Sequence, residues 1–240
     1  MTTRRMARGL GGFAGCVVVA TALIGFAHTK AGRPLRPLLV LIERAVPASG
    51  ARCPLGYDVK ASPAARQAGR RQFAATHAGA TAAAARPALG FTLDGTSRRD
   101  VQVWAAAHAV RCASPRVGAD LECNDVPATA LPTGFGAVAL TTLWLDFGLG
   151  DRLIAVRALR SSHEAAPVSD AFAVVTDTVS RDAGRPARVQ GESSAASLAR
   201  GALNQASAEY RFKDYYAVAR ATNLGPRGFA LTEEYRSLPN

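Results

Sequence analysis

Ala137-Val-Ala-Leu-Thr-Thr-Leu-Trp-Leu-Asp-Phe-Gly-Leu-Gly-Asp-Arg-Leu-Ile-Ala-Val-Arg-Ala-Leu-Arg160 carries two apolar runs on either side of a glycine-rich break. Leu143, Leu145 and Phe147 alternate with Thr142, Trp144 and Asp146, the period of a strand buried on one side. Gly148-Leu149-Gly150-Asp151 supplies a turn, and the run from Leu153 to Leu159 returns, so the segment is predicted to be a β-hairpin at the middle of one sheet.

Upstream, Phe91-Thr92-Leu93 is short and extended, and Gly95-Thr96-Ser97 opens a helix in which Ser97 and Asp100 have capping-box spacing. Val101, Trp104, Ala105 and His108 form its expected buried stripe. Arg111 to Cys123 reads as two short strands around Ser114-Pro115-Arg116-Val117-Gly118. Downstream, Phe172, Val175 and Val179 recur at helical spacing until Gly184-Arg185-Pro186 stops the helix. A short helix falls within Ser193 to Asn204, and strand-like runs follow at Ala208 to Phe212, Tyr215 to Asn223 and Phe229 to Tyr235. This order predicts an α+β fold: one antiparallel sheet built from two αββ-type halves, with the helices on one face.

The domain is expected to begin near Pro87 and run to Asn240. Ahead of it, residues 1–31 have the layout of an export segment: Arg4, Arg5 and Arg8, an apolar core strongest from Cys16 to Ala27, and small residues at Ala27 and Ala31. A cleaved signal and an uncleaved N-terminal membrane anchor both fit, because Gly9 to Ala27 just reaches spanning length. Residues 32–86 form a basic, Pro- and Ala-rich lead-in. Within it, Ser62 and Pro63 are expected to start a helix whose only large apolar side chain is Phe73, which predicts a spacer with little to bury. The location implied is periplasmic or otherwise extracytoplasmic.

The net charge of +11 is not a nucleic-acid signal once it is placed. Residues 1–30 carry four basic groups and no acid, residues 31–86 nine basic and two acidic, and residues 87–240 sixteen of each sign. A phosphate-tracking groove needs its excess on the folded domain, which here is neutral, so no nucleic-acid partner is expected.

The Gly-Thr entry, the helix bearing Asp100-Val101 and the hairpin of the Trp-Leu-Asp-Phe…Gly-Asp-Arg-Leu kind resemble small bacterial envelope proteins of the type of the outer-membrane assembly lipoprotein SmpA and β-lactamase inhibitor protein. The resemblance covers roughly residues 91–160. It implies a non-enzymatic protein that binds other proteins, and it carries over no functional residue. The chain departs from that group in lacking a lipid-attachment cysteine and in its long basic lead-in.

Groups that support chemistry are sparse. His108 and Cys112 are four apart and open a thiol-imidazole reading, but Cys112 has a competing use in a disulfide with Cys123 across a short hairpin loop, which leaves Cys53 odd. Ser161-Ser162-His163-Glu164 gathers a serine, a histidine and a carboxylate in sequence only, without a nucleophile elbow. Adjacent Glu233 and Glu234 on a strand point to opposite faces. Four histidines with no His-Glu-x-x-His or Cys-x-x-Cys spacing predict no metal, and no cofactor motif is present.

The binding candidates are the C-terminal aromatic and arginine residues Tyr210, Arg211, Phe212, Tyr216, Arg220 and Tyr235, because tyrosine and arginine on a sheet favour protein recognition. Packing of the same rings beneath the helices is the competing expectation. The reading that follows is a non-catalytic envelope protein that binds another envelope or membrane protein through its sheet. A small hydrolase or thiol enzyme using His108 or His163, and a small-molecule or lipid binder, are the alternatives.

Overall fold

A computed structural model describes residues 63–115, 119–132, 135 and 138–239. The export segment, Cys53 and Ser62 lie outside the described residues. Among those described, no helix is long and apolar enough to cross a membrane.

Eight strands form one antiparallel sheet: β1 (Arg111–Ala113), β2 (Leu121–Val126), β3 (Leu140–Phe147), β4 (Leu153–Ser162), β5 (Arg188–Gln190), β6 (Gln205–Arg211), β7 (Tyr215–Asn223) and β8 (Phe229–Ser237). Their spatial order is β1-β2-β3-β4-β8-β7-β6-β5. Among the described residues four helices accompany them: α1 (Pro63–His77), α2 (Arg98–Ala107), α3 (Ala165–Asp182) and α4 (Ala195–Ala199). The α+β class and the antiparallel sheet are as expected. The halves are not αββ units, however: the first is α2 followed by four strands, and the second is α3 followed by four strands with α4 set between β5 and β6. The two four-strand meanders join through their last strands, with Ala158 opposite Glu233 and Leu159 opposite Thr232.

The central hairpin forms where the alternation places it. Leu143, Leu145 and Phe147 are buried on the inner face, and the turn uses left-handed backbone at Gly150 (φ 69°) and Asp151 (φ 57°). At α2, the Ser97 hydroxyl accepts from the Asp100 backbone N–H while the Asp100 carboxylate accepts from that of Ser97, so both halves of the capping box are made. Helix α3 stops just before Gly184, whose φ of 124° suits glycine.

One continuous core lies between the sheet's inner face and α2, α3 and α4. Beneath α3 the strands present Ala206, Ala208, Ala217, Ala219 and Ala221, all at most 3% exposed, and against them α3 turns Val168, Ala171, Phe172, Val175 and Val179. Small residues on the strands let the helix backbone approach closely. Cys112 and Cys123 are direct cross-strand partners on β1 and β2 and form a disulfide. The entropic model gives about 3 kcal/mol for closing a loop of this length.

Helix α1 corrects the expectation of helices on one face only. Phe73 and Ala74 pack on Tyr216, Val218 and Leu238, and Tyr216 and Val218 alternate with the core-facing Tyr215 and Ala217. α1 therefore lies on the outer face. Nor does the stretch from Pro63 to Arg86 stand clear of the domain as a spacer would. Gly79 N–H donates to Phe212 O, Ala84 N–H to Ala183 O, Lys213 N–H to Thr81 O and Ala83 N–H to the Asp214 carboxylate.

Candidate functional site

Strand alternation sorts the charged and aromatic side chains onto two faces, and the sorting decides which are available to a partner. On the inner face, Tyr210 (1% exposed), Phe212 (8%) and Tyr235 (1%) belong to the core, and Tyr216 (7%) is covered by α1 on the outer face. Of the six expected binding residues, only Arg211 and Arg220 reach solvent. The Tyr210 hydroxyl donates to Thr176 O at 2.9 Å, so its polar end is satisfied within the fold.

The inner face also holds a charge that sequence reading did not place there. Arg160 on β4 and Glu233 on β8 are both fully buried and paired, Nε to Oε1 at 2.6 Å. Glu233 Oε2 accepts from the Tyr235 hydroxyl at 2.6 Å, and Arg160 Nη1 donates to Val138 O. Arg160 Nη2 is buried without a hydrogen-bond partner. Burial raises the Tyr235 phenol well above its ordinary pKa, and the Glu233 carboxylate adds to the effect, which keeps the phenol a donor. Glu234 lies on the opposite face, as its parity requires.

The enzyme constellations do not assemble. His108 caps the end of α2, is exposed, and its Nδ1 lies 2.8 Å from Trp104 O, while Cys112 is tied up in the disulfide. Trp104 is half-buried, edge-on to Phe91, and donates to Ala130 O at 3.2 Å. His163 is exposed just beyond β4, and the Ser162 hydroxyl is engaged by the Glu164 backbone N–H at 3.0 Å. Among the described residues, no group of three or more His, Cys, Asp or Glu is placed to hold a metal ion. A shallow depression of about 290 Å³ is lined by Gly191, Glu192, Ser197, Arg200, Asn204 and Gln205. Its arginine is already paired with Glu192 at 2.8 Å.

What remains is the outer face of the sheet, which among the described residues is covered by α1 at one end only. There Arg70 bonds Ser237 Oγ at 2.7 Å, Arg66 pairs with Asp120 at 3.1 Å, Phe73 stacks on His77, and the Arg236 guanidinium lies over the Phe73 ring at 4.7 Å. The register sets two rows on this face, the first of which meets the apolar patch under α1 at Val218. Trp144, Arg157, Glu234, Val218 and Glu209 run across β3, β4, β8, β7 and β6, and beside them run Thr142, Leu159, Thr232, Arg220 and Ser207. Every one of these ten is partly or fully exposed. The first row is well braced: Trp144 donates to Glu122 at 3.0 Å, Arg157 pairs with Asp146 at 3.2 Å, Arg236 with Glu234, and Arg211 with Glu209 at 2.9 Å. Burial pushes the Asp146 carboxyl above its ordinary pKa, and Asp120 adds to this against the pull of Arg157 and Arg236.

An aromatic and two aliphatic side chains set among braced charges on a rigid sheet can bind a protein surface, since such sites combine an apolar centre with a polar surround. Sequence reading named Arg211 and Arg220 on this face but missed Trp144, Leu159 and Val218. The chain matches no protein-family model, no curated protein and no solved structure.

Proposed function

We propose that this chain is a non-catalytic protein of the bacterial envelope, carried out of the cytoplasm by its N-terminal segment, that binds another envelope or membrane protein through the outer face of its sheet. The observation that carries the reading is that face: Trp144, Leu159 and Val218 stand on it among charged and hydroxyl side chains, and among the described residues α1 covers it only around Tyr216, Val218 and Leu238. The Arg-led apolar segment at residues 1–31 and the resemblance of residues 91–160 to small envelope binding proteins point the same way.

The test is retention of a partner from the cell's own membranes by the full-length protein and by the variant Leu159→Arg/Val218→Asp. A stoichiometric partner held by the first and lost by the second, with both proteins equally folded, is the expected result. Equal retention by both places the contact elsewhere. An export-dependent reporter enzyme fused after Asn240 should be active, and an expressed but inactive fusion contradicts the location.

A further inference from the structure

The four arginines that β4, β6, β7 and β8 turn to the outer face, inside the edge strands β1 and β5 with their own Arg111 and Arg188, are not equivalent. Arg157, Arg236 and Arg211 are each paired with a carboxylate: Asp146, Glu234 and Glu209 respectively. Arg220, near the centre of β7, is exposed and has no carboxylate partner among the described residues. Its cross-strand neighbours are Thr232 on β8 and Ser207 on β6, neither of which carries charge. Val218 lies two residues along the same strand, and Leu159 lies two strands away in the same row, about 10 Å at the ordinary interstrand spacing.

We infer that Arg220 receives a carboxylate from an acidic segment of the protein partner, whose neighbouring apolar side chains rest on Leu159 and Val218. The inference rests on the reading of the outer face as a protein-binding surface. A guanidinium left unpaired in a row of hydroxyls has its fork of donors free, and carboxylates match that fork in a bidentate way. Ser207 can supply a further donor to the same group, while the Thr232 hydroxyl donates to Arg220 O at 3.4 Å. The surroundings favour one isolated carboxylate over a run of phosphates. Glu234 and Glu209 occupy the diagonal positions beside Arg220 and repel closely spaced negative charges, while their own attraction is already engaged by Arg236 and Arg211. The even balance of charge over residues 87–240 likewise lacks the broad positive field that a polyanion needs.

The experiment uses the full-length protein and a short fluorescein-labelled peptide in which Glu, Ser and Leu repeat, followed by fluorescence polarisation. The controls are the same peptide with Lys for Glu and a single-stranded oligonucleotide of equal negative charge. The acidic peptide should bind, binding should weaken at least tenfold in Arg220→Ala and vanish in Arg220→Glu, and Arg211→Ala should change it less than threefold. Absence of binding by the acidic peptide, equal binding by Arg220→Glu, equal binding of the Lys peptide, or tighter binding of the oligonucleotide each overturns the inference. If the acidic peptide fails while a partner is still lost on Leu159→Arg/Val218→Asp, the face stands as the interface and only the partner's chemistry is wrong.

Discussion

Glu233→Ala would leave Arg160 fully buried and without its counter-charge, and would strip the Tyr235 hydroxyl of its acceptor. Breaking one side of a buried pair costs about 3–5 kcal/mol, because the remaining charge has no water to turn to. Urea unfolding should register that loss. The triple replacement Arg160→Met, Glu233→Leu, Tyr235→Phe should recover much of it, since apolar groups of similar volume need no partners. A loss under about 1 kcal/mol in Glu233→Ala would mean that the network is wet. Asp146 makes the opposite kind of test. Its folded-state pKa lies above the unfolded value, so the fold favours the protonated form. That contribution is complete below the unfolded pKa and is lost as pH rises through the folded one. Asp146→Asn should therefore melt above the wild type at pH 7, with the difference closing as the pH falls below about 4, near the unfolded carboxyl value. A variant less stable at pH 7 contradicts the sign. At this scale the sequence was legible in parity and silent on depth. That Glu233 and Glu234 face opposite ways follows from the strand period. That Tyr210 and Tyr235 are core does not, because alternation assigns each ring to a face of its strand without saying which face the helices will cover.

Among elements, the central hairpin and α2 were readable because each has a local signal that packing then confirms: alternation ended by a glycine turn, and a capping box. Strand β5 has none, since Arg188, Val189 and Gln190 are all exposed and its existence depends on pairing with β6. Helix α1 was readable as a helix but not as a docked one. With Phe73 as its large apolar residue, it is held by guanidinium contacts to Asp120, Ser237 and Asp94 and by an aromatic cluster, which no periodicity announces. Exposed ion pairs of this kind contribute roughly 0–1 kcal/mol each and are screened by salt. Amide hydrogen exchange should consequently find α1 among the least protected helices, exchanging well before β7 and β8 and faster still in 1 M sodium chloride. The segment from Gly79 to Ala84, tied by backbone bonds, should not respond to salt. Protection of α1 equal to that of β7 at both salt concentrations would show that Phe73 and Ala74 bury more stability than their surroundings suggest.

For the molecule as a whole, the useful sequence signal was where charge is placed. The basic excess lies ahead of residue 87, and the neutral remainder folds into a sheet with one face covered by three helices and the other, among the described residues, covered by α1 only in part. The open face could not be read in advance because its identity depends on which side α3 chooses. The alanine strands settle that choice only once they are assembled. Site-specific photocrosslinking in intact cells shows which face meets a partner, with p-benzoylphenylalanine placed at Thr232 on the outer face or at Asp170 on the exposed side of α3. A discrete crosslinked adduct to one envelope protein is expected from position 232 and none from position 170. Adducts from position 170 alone, or from neither position in folded and exported protein, would contradict binding through the outer face.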